Sequence, residues 1–455
     1  MPRLLADTTP LRVSPEYRRL WWGLGVSNLG AQLTVVAVGL QVYALTGSTL
    51  AVGVLGLCSL IPLVALGLYG GALVDAYDRR RVSLVASGAL WVVTGAIAAQ
   101  AWAGMSSVQL LYGLVALQSA AFAINNPARS AIIPRLLPAT LMPAANALQT
   151  LAMNVALTGG PLLGALLVAQ WGYAWAYTID TVLFAAALWA VWRLPAMPPI
   201  APGPPTDPER STDPERSTDP ERSAPPEHPT ISTRRVVGLR SVLDGLCYLA
   251  TQPNVRTTFL VDLAAMILAF PRVLWPAAGV IYLGGGETTT GILAASFAVG
   301  GILAALFSGG LSRVRHQGRV IAWAITAWGL SVAAFGLVLV VLGRTEPDGM
   351  LLGGVIAAGV ALAFAGGTDA VASVFRQSIL QTATPDHMRG RLQGVFIVVV
   401  AGGPRLGELV LGAEATWFGE GWAAVIGGLA CVVVLWLIVR ATPRFWAYDS
   451  HHPEP

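Results

Sequence analysis

LWWGLGVSNLGAQLTVVAVGLQVYALTGSTLAVGVLGLCSLIPLVALGLYGGALV, Leu20 to Val74, runs for 55 residues without an Asp, Glu, Lys, Arg or His. A helix needs about 20 predominantly apolar residues to cross a bilayer. This stretch therefore holds two spans, with TGST at Thr46–Thr49 as the hairpin between them. A second uncharged stretch lies between Arg81 and Arg129 and turns near AGMSS, Ala103–Ser107. A third lies between Arg135 and Arg193, is interrupted only by Asp180, and turns near QWGY, Gln170–Tyr173. Three hairpins make six spans in the first 195 residues.

The whole chain of 455 residues is 55% hydrophobic and 11% charged, against about 25% charged in a soluble domain. Every basic residue is arginine, and the net charge is +4. No basic run with interleaved aromatics points to nucleic acid. Cys58, Cys247 and Cys431 are far apart and form no CxxC, so neither a disulfide framework nor a zinc site is expected. No nucleophile–base pair, metal cluster or phosphate loop supports an enzyme or a cofactor, and without GxxxxGK[ST] the chain is not itself an ATP-driven pump. The first apolar segment outruns a signal-peptide core and is expected to stay as a helix.

Composition changes at Pro195. PAMPPIAPGPP leads into three copies of TDPERS between Thr206 and Ser223. Such sequence has no apolar residues with which to build a core, so 196–237 is expected to be a disordered cytoplasmic spacer. In 238–252, Leu239, Val242, Leu243 and Leu246 form one helical stripe, with Arg240 and Asp244 on the other side. That pattern predicts a cytoplasmic amphipathic helix lying on the membrane or against the bundle. Six further spans are expected near 256–284, 288–312, 319–343, 350–380, 388–414 and 421–440. The expectation is an all-α integral membrane protein with twelve transmembrane helices. Two six-helix bundles, 18–195 and 253–441, would be flanked by tails at 1–17 and 442–455. With twelve spans, the loops and ends carrying Arg18, Arg19, Arg79–Arg81, Arg129, Arg135, Arg313, Arg315, Arg319, Arg389, Arg391, Arg440 and Arg444 fall on one side. Arg344, beside Glu346 and Asp348, is the exception on the other. Arginine-rich loops stay in the cytoplasm. Both termini and the spacer are therefore placed there, in a multi-pass protein of the cell membrane.

The halves repeat one another. GGPLLG at Gly159–Gly164 returns as GGPRLG at Gly402–Gly407, in helices 5 and 11. ARSAIIPRLLPATL (Ala128–Leu141) and FRQSILQTATPDHM (Phe375–Met388) keep the same spacing from Arg129 to Pro138 as from Arg376 to Pro385. GGALVDAYDRRRV (Gly70–Val82) aligns with SGGLSRVRHQGRV (Ser308–Val320). Three matches in one order favour duplication, giving two parallel-related halves with a pathway between them.

At these residues the chain resembles the major facilitator superfamily. Gly71, Leu73, Asp75, Arg79 and Arg80 fill its helix 2–3 signature, and TGGPLLG (Thr158–Gly164) is similar to the helix-5 antiporter signature of its exporters. NNPARSAIIPRLLP (Asn125–Pro138), VLWPA (Val273–Ala277) and LQTATPDHMRGRLQGV (Leu380–Val395) look like its siderophore and drug exporter branch, which is enterobactin-exporter-like and macrolide-efflux-like. The resemblance covers about Arg18 to Arg440 outside the spacer. It implies a major facilitator fold and a conformational latch at Gly71, Asp75, Arg79 and Arg80 that holds the outward-open state. It also implies export of a siderophore or drug-like amphiphile. The chain departs from the family in helix 4, where Val115 and Ser119 replace the ends of an Arg-x-x-Gln-Gly relay and only Gln118 is kept.

Ionisable residues inside spans are costly and mark pathways or pairs. They are Asp180 in helix 6, Asp262 and Arg272 in helix 7, Asp369 in helix 10, and Arg405 and Glu408 in helix 11. Arg405 and Glu408 are three apart and can pair along one face, as a structural pair or as part of a pathway. Asp369 and Asp262 lead as proton carriers and Glu408 follows, whereas Asp180 is expected to join helices by hydrogen bonds. Trp275, Tyr282 and Trp328 can stack on a ring-bearing substrate or sit at the interfaces. Gly160, Pro161 and Gly164, with Gly403, Pro404 and Gly407, form a helix-interface motif, because small residues four apart let helices approach. The expected partners are a small-molecule substrate, protons and the bilayer, with the chain a monomer. The function read from these residues is export by proton antiport with rocking bundles; a proton-coupled importer or symporter of a nutrient is the alternative.

Overall fold

The computed structural model describes residues 8–197, 247–306, 314–383 and 386–449. The expected spacer lies outside the described residues from 198 onward, as do Leu239, Val242, Leu243 and Leu246 of the amphipathic stripe; residues 247–251 are helical. Twelve long helices follow in order: α1 Pro15–Thr46, α2 Thr49–Ala76, α3 Arg79–Trp102, α4 Val108–Leu136, α5 Met142–Trp171, α6 Tyr173–Trp192, α7 Pro253–Tyr282, α8 Gly286–Leu306, α9 Gln317–Leu342, α10 Leu352–Thr382, α11 Asp386–Phe418 and α12 Glu420–Ala441. Eleven of these, among the described residues, are both long and apolar enough to cross a membrane. The twelfth, α11, has 33 residues and so ample length, but it carries Arg405, Glu408 and Glu414.

Local chemistry sets the ends. Ser14 caps α1 by accepting from the Tyr17 N–H at 3.1 Å, with Pro15 at the first helical position. The fixed φ of proline suits that place, where its missing N–H costs nothing. Gly47 ends α1 with φ 59°, and its N–H donates to the Tyr43 carbonyl. That left-handed cap needs glycine, and it makes TGST the predicted hairpin. Ser107 and Asp78 cap α4 and α3 in the same way as Ser14.

In the first half α1 packs on α5 and α6, α2 on α4, and α3 on α4 and α6. In the second half α7 packs on α11 and α12, α8 on α10, and α9 on α10 and α12. Adding six to each number of the first set produces the second, so the duplication read from three short alignments holds for the packing. The halves meet through α2 against α11 and α5 against α8, two contacts that the same operation exchanges.

Lipid chains are as apolar as leucine, so helix association in a membrane depends on close fit. Between α8 and α10, a Cβ on Gly300 would strike the Ala363 carbonyl and one on Gly366 the Phe297 carbonyl. Between the halves, Gly53 lies on the Glu408 carbonyl and Gly412 on the Thr49 carbonyl, so α2 and α11 touch backbone to backbone. Outward faces stay apolar: Val85, Leu306, Val341 and Trp417 are largely exposed, as a lipid-facing surface requires.

The segment after each half folds back on the start of that half's third helix. The Met197 N–H donates to Asp78 Oδ2 at 2.9 Å and the Arg79 N–H to the Met197 carbonyl at 3.2 Å, both at the start of α3. After α12, the Phe445 carbonyl lies against Gly318 at the start of α9, and Arg315 pairs with Asp449 at 2.7 Å.

Candidate transport site

Helix α7 is continuous only to Ala269. Pro271 starts a tight 3-10 turn to Leu274, Pro276 sits two residues later, and a wider π-type turn covers Ala278–Tyr282. Each proline removes a backbone donor and displaces the preceding turn; irregular backbone at membrane depth is tolerated where protein or a cavity surrounds it. The break separates Asp262 from Arg272, so the two residues that share α7 face different surroundings.

Arg272 opens onto a cavity of about 70 Å³ between the halves. The first half contributes Val35, Val36 and Gly39 of α1 and Val52 and Leu55 of α2. The second half contributes Trp275 and Pro276 of the break, Thr290 of α8, and Arg405 and Glu408 of α11. Arg405 Nη1 lies 3.7 Å from Glu408 Oε2, so the predicted pair forms and also lines the cavity. Glu408 reaches the other half: a Cβ on Gly56 would come within 2.8 Å of its Oε2. Of the other two aromatics, Trp328 is fully buried against Phe270 in the second half and Tyr282 belongs to the outer end.

Asp262 meets a residue that the sequence places only at a cytoplasmic helix end. Arg376 Nη1 lies 2.9 Å from Asp262 Oδ1, and its Nη2 lies 3.3 Å from Asp369 Oδ1. Arg376 is 6% and Asp262 3% exposed, so that pair is buried inside the second half, while Asp369 is half-buried beside it. The carboxylate–guanidinium–carboxylate array joins α7 to α10. The repeated Arg–Pro spacing is the signal that could have found Arg376. In the first half, Arg129 Nη2 instead donates to Ser87 Oγ at 3.2 Å, and its guanidinium lies 5.5 Å from the Phe184 ring centre.

Asp180 is buried in the first half, where Thr34 donates to its Oδ2 at 2.5 Å and Gly30 of α1 packs on it. It binds α6 to α1. Gln41 accepts from Tyr177 and from Gln100, and Asn125 from Ser83 and Ser87, so these uncharged groups join helices. Asn146, Gln149 and Asn154 are exposed on α5.

Gly71 and Asp75 lie on the last turns of α2, where the side chains of 68–76 are outside the described residues. Arg79 donates to the Ala131 carbonyl of α4 at 3.1 Å and Arg80 to the Trp192 carbonyl of α6 at 2.5 Å. Both partners belong to the first half. Asp78, which the motif leaves unassigned, caps α3 through the Arg81 N–H.

The glycine phrases take a position of their own. Gly160 lies against Gln32 and Leu29, and Gly164 against Leu33, all in α1. Gly403 and Gly407 lie against Met266 and Ile267 of α7. These four glycines fasten helices 5 and 11 to helix 1 or 7 of their own half, while Gly402 and Arg405 of the second phrase also meet Leu60 and Gly56 of α2. The cross-half contact of α5 is made on another face, where Ala165 and Leu162 meet Gly291 of α8.

At the arginine-poor end, called outer here, Glu420 closes the halves. Thr49 of the first half donates to its Oε1 at 2.9 Å and Tyr282 to its Oε2 at 2.9 Å, with Arg344 Nη1 3.6 Å away. Glu420 is 5% exposed at the start of α12, where the helix N-terminus favours a carboxylate. On the other flank the Tyr173 hydroxyl of the first half faces Glu287 at the start of α8. By sequence alone Glu287 and Glu420 read as loop residues, because only the fold brings each to a hydroxyl of the other half. Losing one charge-assisted hydrogen bond of roughly 1.5 kcal/mol shifts a two-state balance about tenfold. Glu420→Gln is therefore expected to raise labelling of Leu55→Cys by an impermeant maleimide from the outer side about tenfold, in a chain lacking Cys58, Cys247 and Cys431. An unchanged labelling rate would remove Glu420 as a clasp.

The family described as transmembrane secretion effector matches residues 6–204. An enterobactin exporter, EntS, of Citrobacter koseri is 26% identical over 99% of this chain and 97% of its own length. That of Shigella boydii serotype 18 is 28% identical, covering 97% and 96%. Among solved structures a mutant of the nucleoside transporter NupG superposes with a TM-score of 0.69 at 13% identity, covering 93% of this chain and 99% of its own. By its twelve-helix duplicated fold and its sequence relatives, the chain resembles the major facilitator superfamily and, within it, the exporters.

Proposed function

We propose that this chain exports a small organic molecule, a siderophore or drug-like amphiphile, across the cell membrane by proton antiport with alternating access. The observation that carries this reading is a charged cavity between two pseudo-symmetric halves that is clasped at the outer end by Glu420. The cross-half contacts of α5 are made by its outer part, at Leu162 and Ala165, whereas residues 149–151 and 153–155 of its inner part are exposed. Arginine-rich loops support a cytoplasmic inner end and cytoplasmic termini. The relatives named enterobactin exporters support export and a siderophore-like cargo.

Protons enter through the array in the second half. Two carboxylates, Asp262 and Asp369, share one guanidinium, Arg376, so one negative charge is left over inside a helix bundle. Taking up a proton there removes that charge, and releasing it as access alternates drives the exchange. That one copy lines the cavity supports a monomeric transporter.

The test is transport into inverted vesicles from cells overproducing the protein, with an extract of the host's secreted metabolites as cargo. Accumulation that stops when the pH gradient is collapsed is the expected result. Accumulation independent of the gradient would sink antiport, and movement only in the opposite direction would make the protein an importer.

A further inference from the structure

Two guanidinium groups and one carboxylate face the central cavity, so it carries a net positive charge. Glu408 is 3.7 Å from Arg405 and can offset only one of the two. Arg272 has no hydrogen-bond or ion-pair acceptor within reach among the described residues. The nearby charges acting on it are Glu408, which attracts it, and Arg405, which repels it. A guanidinium at membrane depth is costly without a partner. The break in α7 nonetheless turns this one into the space between the halves. The remaining walls are aliphatic or aromatic: Val36, Val52, Leu55, Val273 and Trp275.

We propose that this cavity, widened as the halves part, binds an organic anion, its oxyanion held by Arg272 and Arg405 and its apolar body against Val52, Leu55 and Trp275. Guanidinium presents paired N–H donors in a plane that matches a carboxylate or sulfonate, whereas a cation would meet two like charges for one opposite. Glu408 serves as the resident counter-ion of Arg405 and gives it up when the substrate oxyanion arrives. This proposal rests on the cavity being the transport site; it assigns the charge of the cargo, which the export reading leaves open.

The test uses the full chain in detergent and two probes of one shape, 2-naphthoate and 2-naphthylmethylammonium, by equilibrium dialysis against detergent blanks. Naphthoate is expected to bind at least tenfold more tightly than the ammonium. Arg272→Gln and Arg405→Gln are each expected to weaken naphthoate at least tenfold, with Arg272→Lys recovering part of the loss. Glu408→Gln, which removes the competing carboxylate, is expected to tighten it. Equal binding of the two probes, or full naphthoate affinity in both glutamine variants, would overturn the proposal. Competition by inorganic phosphate as strong as by naphthoate would overturn the organic part, leaving a simple anion site. Charge-selective naphthoate binding in a protein that shows no outward transport would sink the export reading alone. Outward transport with charge-indifferent binding would sink only this proposal.

Discussion

Arg376→Gln is expected to destabilise the second half by about 3–5 kcal/mol, the range for removing one partner of a buried ion pair. The substitution strands Asp262, which is 3% exposed and loses its 2.9 Å partner. It also frees Asp369 from its 3.3 Å contact, so α7 and α10 lose their charged tie. The stranded carboxylates can recover only by binding protons, which uncouples them from alternating access. Thermal unfolding in detergent would read the stability loss, and vesicle transport with and without a pH gradient would read the coupling. Adding Asp262→Asn and Asp369→Asn to Arg376→Gln should restore much of the stability and none of the gradient dependence. Arg129→Gln is the internal comparison: it removes a hydroxyl contact and a ring contact, each worth roughly 1–2 kcal/mol. Equal destabilisation by the two substitutions would show that the array contributes no more than its first-half counterpart.

Gly407→Val is expected to cost at least about 3 kcal/mol, beyond the usual overpacking range. A Cβ there would run into the Met266 carbonyl, with the Ile267 Cα close behind at 3.3 Å. Both are main-chain atoms of a neighbouring helix, so no rotamer change relieves the overlap. Gly113 of α4 has nothing within 4 Å of its Cβ position, and Gly113→Val should leave the unfolding midpoint nearly unchanged. Size-exclusion profiles and unfolding midpoints of the two variants would be compared. Matching behaviour would mean that α7 and α11 can separate freely, against the packing described.

The fold was almost fully legible because lipid imposes its rule on composition. A stretch such as Leu20–Val74 has few alternatives, and the observed helices start and stop within a few residues of the predicted spans. Charged positions were legible too, since so few occur inside the spans. What sequence could not supply was the partner of each. Asp262 and Arg376 are separated by 114 positions and meet because α7 and α10 pack in the second half. Glu420 sits beside a turn and reads as a loop residue until α2 of the other half brings Thr49 to it. The glycine phrases show the limit most clearly. Spacing identified a close helix contact but not its direction, and small residues on helix 5 face helix 1 because the residues that meet helix 8 lie on another face, at Leu162 and Ala165.

The bond from Met197 to Asp78 bears on how this chain can change over time. It pins the end of the first bundle to the start of α3 before the TDPERS copies begin. The position of α6 is therefore set by that anchor and by Arg80 on the Trp192 carbonyl, whatever the length of the sequence that follows. The three identical copies begin only after the first bundle has been fastened at its end.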